Sequence, residues 1–339
     1  MKLLSKKRKY TIGIDLGGTK LAAALVDDHG DIVAFHKESI LNLKKGTTNG
    51  PEKVVGLMVD LILNFKKNHP DAFNKKYFSG VGLASAGPLN VEQGELIYPV
   101  NFPEWKIVPI QKMLSDKLKK IGISSKVYFQ NDAIAAARAE GWTGGAQDLL
   151  SYAVVTIGTG IGTGVIFNRQ PVQTLGMGSE FGHLIARTND IHEAKDLPLY
   201  TVEGISSGTG ILRRALELGF KGSSIEELVL ALDKGQTQYQ ILFDDAADTL
   251  AALCYNLSVG FCLQKILFSG GLIKVRRLYW KRLQVRYRGL IRQFNPKFEC
   301  QLIVAHHLNQ AGVLGAASLP YHFDSKKRAK ERSSREDQN

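Results

Sequence analysis

Two glycine-rich segments of this sequence have the composition of turns that bind phosphate groups. The first, DLGGTK, occupies residues 15–20, and the second, GTGIGTG, occupies residues 158–164. Because glycine has no Cβ, its backbone N–H groups can approach a phosphate closely, and a threonine hydroxyl can add a further donor. Asp15, at the end of a predicted strand, can hold Mg²⁺ through water, since Mg²⁺ keeps much of its hydration shell. Taken alone, the first segment fits a plain hairpin turn equally well.

The second glycine-rich segment is harder to explain by structure alone. Four glycines at alternating positions fit poorly in a packed strand, and the segment matches neither the P-loop pattern nor the dinucleotide fingerprint. A strand, a glycine turn and a second strand occur at residues 10–27 and again at residues 152–168. This internal repeat favours two related α/β lobes, and two phosphate-sized turns in two lobes predict a nucleotide between them.

Asn131 and Asp132 follow a predicted strand and open an alanine-rich helix. Both residue types are favoured helix N-caps, although the capping box is missing because no Glu or Gln stands three residues further on. A carboxylate beside bound phosphates can also accept the proton of an attacking hydroxyl group. Asp132 is therefore a candidate general base, with a helix cap as the alternative.

Three further polar residues are candidates for binding a polyhydroxy compound. Glu180 and His183 are three residues apart with Gly182 between them, and Glu203 follows. Such a group can hydrogen-bond adjacent hydroxyls, and it discriminates strongly because a missing hydroxyl leaves buried groups unpaired.

Hydrophobic periodicity predicts the alternating strands and helices that position these residues. Strands are predicted at residues 10–15, 20–27, 32–36, 80–84, 126–130, 152–156, 165–168, 265–269 and 301–305. Helices are predicted at residues 51–67, 109–120, 132–141, 205–218, 224–232, 244–263, 274–292 and 311–319. The first two strands form a hairpin with no helix after the glycines, which is unlike a dinucleotide-binding unit. In the basic helix, Tyr279, Leu283, Tyr287 and Leu290 form the stripe expected to be buried.

Composition and charge exclude several classes of protein. The chain has 339 residues, of which 44% are hydrophobic and 22% charged, as in a globular protein with room for two domains. Residues 1–10 and 325–339 contribute eight of the twelve net positive charges, and residues 274–292 hold eight Lys or Arg and no acid. This distribution favours solvated termini and one basic helix face, and we expect no nucleic-acid partner.

Cysteine usage and hydropathy indicate a cytoplasmic protein. Cys254, Cys262 and Cys300 form no CxxC pair, and the N-terminal residues contain no signal-peptide core. Polar residues interrupt the apolar stretch 251–273, which predicts a buried helix leading into a strand and no membrane association.

Eight short motifs follow one another in an order that resembles the ROK family (repressors, open reading frames and kinases) of the actin-like ATPase superfamily. They lie at residues 15–20, 82–88, 101–105, 131–133, 158–164, 180–183, 203–208 and 269–271, and the resemblance runs from about residue 10 to about residue 320. It implies an α/β fold of two ribonuclease-H-like lobes with an interdomain cleft. The N-terminal lobe would comprise residues 1–125, completed by a C-terminal helix at about 311–324. The C-terminal lobe would comprise residues 126–310, followed by a disordered tail at 325–339.

The resemblance also implies roles for individual residues. Asp132 matches the catalytic base of a sugar kinase that uses ATP and Mg²⁺. The expected sugar ligands are Asn131, Asp132, Glu180, His183 and Glu203, with Asn101 as a further one. The expected ATP-binding residues are Gly13, Asp15, Gly17, Gly18, Thr19, Lys20, Gly158, Thr159, Gly160, Ile161, Gly162, Thr163 and Gly164, with Gly270 and Gly271 on the adenosine side.

One departure from the family pattern concerns a metal. ROK proteins commonly hold a structural zinc through the histidine matched by His183 and through three cysteines that precede the later glutamate. Residues 186–201 of this chain contain no cysteine, and thiolates are what make such a site tight. We therefore expect no structural zinc, and we expect residues 190–193 to form a solvated loop.

The resulting hypothesis is phosphorylation of a hexose by ATP, with glucose as the first candidate and its 6-hydroxyl as the acceptor. N-acetylmannosamine, N-acetylglucosamine and fructose remain open, as does a catalytically silent sugar sensor. A sugar-responsive repressor is disfavoured because the first strand begins at about Tyr10, which leaves no room for a helix-turn-helix before it. A homodimer is the expected assembly.

Overall fold

The computed structural model describes residues 8–174 and 177–321, and these residues form two compact α/β units. The first unit comprises the described residues within Met1–Gln147, Gln173–Gly178 and Asn309–Asn339, and the second comprises Asp148–Val172 and Ser179–Leu308.

The first unit is built on a five-stranded sheet. Its elements in chain order are β1 (Tyr10–Leu16), β2 (Lys20–Asp27), β3 (Ile32–Ser39), α1 (Asn49–Asn68), β4 (Phe78–Ser85), β5 (Leu89–Asn90), β6 (Glu95–Ile97), β7 (Ile107–Val108), α2 (Ile110–Lys120), β8 (Val127–Asn131) and α3 (Asp132–Thr143). The sheet order is β3-β2-β1-β4-β8, in which β1, β2 and β3 are antiparallel while β1, β4 and β8 run parallel. The short strands β5, β6 and β7 form a separate antiparallel sheet.

The second unit repeats this arrangement. Its elements are β9 (Tyr152–Ile157), β10 (Ile161–Phe167), β11 (Gln170–Pro171), α4 (Val202–Ser206), α5 (Gly208–Glu217), α6 (Ile225–Asp233), α7 (Gln240–Phe261), β12 (Lys265–Ser269), α8 (Trp280–Phe294) and β13 (Gln301–Val304). The order is β11-β10-β9-β12-β13, with an antiparallel half and a parallel half as in the first unit. The predicted pair of related α/β lobes is confirmed.

The division between the units lies after Gln147, whereas the sequence placed it at residue 125. The reason is strand pairing: β8 runs parallel to β4, with Val81 opposite Val127 and Ser85 opposite Asn131. Strand β8 therefore belongs to the first sheet, and the following helix α3 belongs to the first unit. Residues 311–321 are helical (α9) and belong to the first unit. The predicted end of this helix at 322–324 and the tail at 325–339 lie outside the described residues.

Helix α9 packs against the first sheet through glycines. A Cβ added at Gly13 in β1 would overlap the backbone oxygen of Val313, and one at Gly82 in β4 would overlap that of Ala316. On the helix, a Cβ at Gly315 would overlap the backbone oxygen of Ala135 in α3. Only glycine permits so close an approach, so these residues set the distance between α9, α3 and the strands that carry the candidate site.

The basic segment of the second unit is divided into two helices. A 3₁₀ helix covers Gly271–Leu278, and α8 begins at Trp280. Tyr279, Leu283 and Tyr287 are buried as predicted, but Ile291 replaces Leu290 at the end of the stripe. Four of the eight basic side chains pair with carboxylates, namely Arg277 with Asp233, Arg282 with Asp244 and Asp248, and Arg288 and Arg292 with Glu299. These ion pairs give carboxylate partners to half of the basic residues in 274–292, a segment that itself contains no acidic residue.

Among the described residues, no helix has the length and apolar character needed to cross a membrane.

Candidate functional site

The first glycine turn (residues 17–19) connects β1 to β2, so the hairpin interpretation is correct as far as the backbone is concerned. The N–H of Gly17 donates to the oxygen of Lys20 at 3.0 Å, and the oxygen of Thr19 accepts from the N–H of Ile40 at 3.0 Å. Gly17 and Gly18 are half-buried, whereas Thr19 and Lys20 are exposed. The turn is therefore fixed at its base and accessible at its tip, as a phosphate-binding turn must be.

Gly13 has a different environment from the rest of this segment. It lies inside β1, buried beneath α9, and helix packing explains why the position is glycine. Its expected role in ATP binding stays a prediction. The sequence does not show which of three nearby glycines faces a helix and which faces a ligand.

Asp15 is half-buried near the end of β1. Burial and, next, the charge of Asp132 raise its pKa to about 7, and Lys37 opposes the shift. Lys37 lies two strands away in the same row of the sheet, because Asp15 pairs with Ala22 and Ala22 pairs with Lys37. A Cβ at Gly312 in α9 would overlap the carboxylate of Asp15, so the helix leaves room for this side chain.

Asn131 and Asp132 mark the point where β8 ends and α3 begins. The Oδ1 atom of Asn131 accepts hydrogen bonds from the N–H groups of Ala133, at 2.9 Å, and Ile134, at 3.2 Å. Asn131 is therefore the N-cap of α3, which was the alternative interpretation of this residue. Its acceptor is committed to the helix, so a ligand could be bound only by its amide N–H group.

Asp132 is the first residue of α3 and is half-buried. Burial raises the pKa of its carboxyl group, and hydrogen bonds from the N–H groups of Ala133 and of Asp132 itself partly offset that effect. The Ala133 N–H donates to Oδ1 at 2.8 Å. A carboxylate with a raised pKa is a stronger proton acceptor than an exposed one, as a general base requires.

The second glycine turn (residues 158–160) connects β9 to β10. It is shorter than the predicted loop, because residues 161–164 belong to β10 and pair with β9. Gly158 donates to the oxygen of Gly160 at 2.9 Å, and the oxygens of Gly158 and Thr159 accept from the first residues of α5, Gly208 at 2.8 Å and Thr209 at 3.3 Å. These carbonyls are used within the fold, and Thr159 itself is exposed.

Thr163 is buried in β10. Its hydroxyl donates to the backbone oxygen of Ser179 and accepts from the N–H of Phe181 at 3.0 Å. The Oγ of Ser179 in turn donates to the oxygen of Val172 at 2.8 Å. Thr163 thus anchors the segment that carries Glu180 and His183, and its expected role in nucleotide binding stays a prediction.

Glu180 and His183 both lie in this anchored segment, and both are exposed. His183 ends a short 3₁₀ helix, Phe181–His183. Ser179, immediately before Glu180, has a φ of +59°, in the left-handed region that non-glycine residues rarely adopt. The hydrogen bonds of Ser179 and Thr163 hold the backbone in this conformation, which fixes the direction of the following side chains.

Glu203 lies in α4, next to the second glycine turn. Its Oε2 atom accepts a hydrogen bond from the N–H of Ile161 at 2.6 Å, and a Cβ at Gly160 would overlap this oxygen. The close approach explains the glycine at position 160. Glu203 therefore contacts the turn assigned to phosphate, a contact that its expected role as a sugar ligand does not require.

Gly270 lies at the end of β12 beside the same turn. Its φ is +93°, and a Cβ there would overlap the backbone oxygen of Ile157, the residue before Gly158. Gly271 begins the following 3₁₀ helix and has open space around it. Gly270 thus neighbours the second glycine turn, and the expected role of both glycines on the adenosine side stays a prediction.

Each unit brings together part of the predicted set. In the first unit these are Asp15, residues 17–19, Asn131 and Asp132, with the side chain of Asn101 against Gly18. In the second unit they are residues 158–160, Glu203, Gly270 and the segment of Glu180 and His183. Within residues 8–174 and 177–321, no group of three or more His, Cys, Asp or Glu has the arrangement of a metal-binding cluster.

Two units with the same sheet order, each combining a glycine-turn hairpin with parallel strands, define a protein of the actin-like ATPase fold. The chain belongs to the ROK family, whose family model matches residues 11–322. A solved structure, the ROK hexokinase of Thermus thermophilus, superposes with a TM-score of 0.77 at 26% identity, covering 94% of this chain and 99% of that one.

Two characterised relatives match most of the chain. A glucokinase of Thermotoga maritima is 26% identical over 334 residues, which cover 91% of this chain and 96% of the relative. An N-acetylmannosamine kinase of Escherichia coli is 26% identical over 263 residues, which cover 77% of this chain and 82% of the relative.

Proposed function

We propose that this protein transfers the γ-phosphoryl group of ATP to a hydroxyl group of a hexose, with Asp132 as the general base. The observation that carries the proposal is the environment of Asp132, a half-buried carboxylate at the start of α3 whose pKa is raised by burial. Membership of the ROK family and similarity to proteins named glucokinase and hexokinase support it.

Asp132 accepts the proton of the attacking hydroxyl as that oxygen bonds to phosphorus. The raised pKa favours this transfer, because the base strength of the carboxylate lies closer to neutral pH. The N–H groups of Ala133 and Asp132 hold the carboxylate in place, so little reorganisation is needed when the proton arrives.

Phosphate binding is assigned to the tip of the first glycine turn and to the second glycine turn. Phosphoryl transfer needs positioning and charge neutralisation more than covalent chemistry. Asp15 would hold Mg²⁺ through water, and its half-buried carboxylate, for which the glycine at position 312 leaves room, fits that ion. The metal would supply positive charge to the phosphate oxygens.

Sugar binding is assigned to Glu180, His183 and Glu203, with the amide groups of Asn131 and Asn101 as donors. Carboxylates and an imidazole bind vicinal hydroxyls well, which favours a polyol over acetate or a peptide. Glucose is the first candidate and its 6-hydroxyl the acceptor, while the similarity to an N-acetylmannosamine kinase makes that sugar the second.

A coupled assay of ADP release over a panel of sugars tests the proposal. The panel contains glucose, mannose, fructose, N-acetylglucosamine and N-acetylmannosamine, each with ATP and Mg²⁺. We expect one hexose to stimulate ADP release and to be converted to its phosphate ester. If sugars bind by calorimetry but none stimulates ADP release, the protein is a sugar sensor and the proposal is wrong.

A further inference from the structure

Lys44 lies outside every motif of the sequence, yet its side chain joins two of them. Its Nζ atom donates to the backbone oxygen of Gly18 in the first glycine turn at 2.6 Å. The same atom donates to the backbone oxygen of Asn101 at 2.9 Å. Asn101 begins the segment of residues 101–105, called here the Asn101 loop.

Both the backbone and the ammonium group of Lys44 are held by neighbouring residues. The Nε1 of Trp105 donates to the backbone oxygen of Lys44 at 2.9 Å, and the N–H of Lys44 donates to the oxygen of Ile40 at 3.0 Å. Nζ lies 5.5 Å from the ring centroid of Phe102, a cation–π contact. Phe102 and Trp105 are both buried and stacked at 4.2 Å. Lys44 is therefore half-buried and anchored, unlike an ordinary surface lysine.

The contact with Gly18 controls the direction of a neighbouring donor. Because the peptide unit is planar and trans, the carbonyl of Gly18 and the N–H of Thr19 point in opposite directions. An ammonium group that holds the carbonyl of Gly18 thereby directs the N–H of Thr19 to the other side of the turn. Glycine allows this peptide unit to rotate easily, so the turn needs an external contact to fix it.

The side chain of Asn101 also lies against Gly18, whose carbonyl Lys44 holds. A Cβ added at Gly18 would lie 2.8 Å from Cγ of Asn101, so this side chain lies directly against the turn. A third hydrogen bond joins the loop to the segment of Lys44, from the N–H of Gly46 to the Oε2 of Glu104 at 2.6 Å. The turn, Lys44 and the loop thus form one connected structure within the first unit.

We infer that Lys44 is a positioning residue that orients the N–H of Thr19 in the first glycine turn toward a nucleotide phosphate and links this turn to the Asn101 loop. The inference rests on the proposed function, since it assigns the turn to ATP. Lys44 acts through the backbone of Gly18 and Asn101, so its loss weakens nucleotide binding without removing a ligand of the phosphate.

Three variants test this inference. Lys44→Met removes the donors and keeps the length of the side chain, Lys44→Arg keeps a cation with several N–H donors, and Lys45→Met is the matched control at an exposed neighbour. Calorimetry with the non-hydrolysable analogue AMPPNP and Mg²⁺ measures nucleotide affinity without turnover, and a thermal melt of each variant checks folding.

We expect Lys44→Met to weaken AMPPNP binding about tenfold, the loss typical of one hydrogen bond to a charged group. Lys44→Arg should recover most of that affinity, and Lys45→Met should bind as the unmodified protein does. In the sugar-stimulated reaction, the KM for ATP should rise more than the KM for the sugar. A structural role alone would lower the melting temperature of Lys44→Met but leave the affinity of its folded fraction unchanged.

The results separate this inference from the proposed function. Equal AMPPNP affinity in Lys44→Met and Lys45→Met, or failure of Lys44→Arg to recover binding, would overturn the role of Lys44 and leave the kinase proposal intact. If the unmodified protein binds AMPPNP but no sugar stimulates turnover, the kinase proposal fails and the binding series still decides the role of Lys44. If the unmodified protein binds no AMPPNP, both fail.

Discussion

Asp15 and Asp132 form an electrostatically coupled pair of half-buried carboxylates. Burial and, next, the charge of Asp132 raise the pKa of Asp15 to about 7. Burial also raises the pKa of Asp132. Two carboxylates that both resist ionisation favour the arrival of a cation or a proton. In the proposed reaction, Asp15 would hold Mg²⁺ as this cation, and Asp132 would receive the proton of the sugar hydroxyl.

The first prediction concerns the pH dependence of stability at Asp15. Its folded pKa lies above the usual 3.8, so the folded protein favours the neutral acid. This residue therefore contributes stability below about pH 4, and the contribution is lost as the pH rises to about 7. Without Mg²⁺ and nucleotide, Asp15→Asn should raise the melting temperature more at about pH 8 than at about pH 5.

The control for this prediction is Asp60→Asn, because Asp60 is exposed on α1. Its effect on the melting temperature should be small and equal at both pH values. An Asp15→Asn effect that is the same at both pH values would contradict the raised pKa of Asp15.

The second prediction separates the two contacts proposed for Glu203. Glu203→Gln keeps an oxygen that can accept the hydrogen bond from Ile161, so the KM for ATP should stay within about threefold of the unmodified value. The KM for the sugar should rise about tenfold, because a hydrogen bond to a charged group is lost. Glu203→Ala leaves the N–H of Ile161 without its acceptor and should raise both KM values. If Glu203→Ala changed the sugar KM alone, the contact with Ile161 would have no functional role.

Much of the fold follows from local sequence, because strand and turn signals are local. The predicted bounds of β2 and β12 are confirmed, and the internal repeat predicts the second unit. The structural roles of Gly13, Thr163 and Lys44 could not be predicted, since each depends on a partner distant in the chain. Gly13 packs on Val313, and Lys44 bonds to Asn101. Nothing in the spacing of a lone lysine or glycine indicates such a partner.

The candidate site, like the fold, could be predicted from the sequence only in part. Asp132 and the glycine turns could be located because their residue types follow strand ends. The N-cap role of Asn131 was one of two alternatives that the sequence could not separate, since Asn suits both a cap and a ligand. Glycines at 158–164 suggested one long loop, but strand pairing with β9 incorporates the second half into β10. Whether a segment forms a strand depends on the neighbouring strand with which it pairs as well as on its own residues.

The third prediction concerns the anchor formed by Thr163. Thr163→Val removes the hydroxyl that bonds to Ser179 and Phe181 but keeps the shape of the side chain. We expect a loss of about 1–3 kcal/mol in the free energy of unfolding, because buried backbone groups lose their partner. The KM for the sugar should rise, since the backbone before Glu180 is no longer held. Thr163→Ser, which keeps the hydroxyl, serves as the control, and equal sugar KM values in the two variants would contradict the anchor.

The fourth prediction concerns zinc. Burial raises the pKa of the thiols of Cys254 and Cys300, and zinc binds the thiolate form. With no cysteine in residues 186–201, we expect elemental analysis of the purified protein to find far less than one zinc per chain. Treatment with a chelator should leave the melting temperature unchanged. A stoichiometric zinc that survives dialysis against the chelator would contradict this expectation.

The most direct test of the account is the sugar-stimulated release of ADP by Asp132→Asn. The amide keeps an oxygen for the hydrogen bond from Ala133, so α3 and the fold should be retained, and calorimetry should show sugar binding within about tenfold of the unmodified protein. Loss of the base should lower kcat about 100-fold or more, whereas the control Asp60→Asn should leave it unchanged. An Asp132→Asn protein that keeps a kcat within a few-fold of the unmodified enzyme would show that Asp132 is not the base.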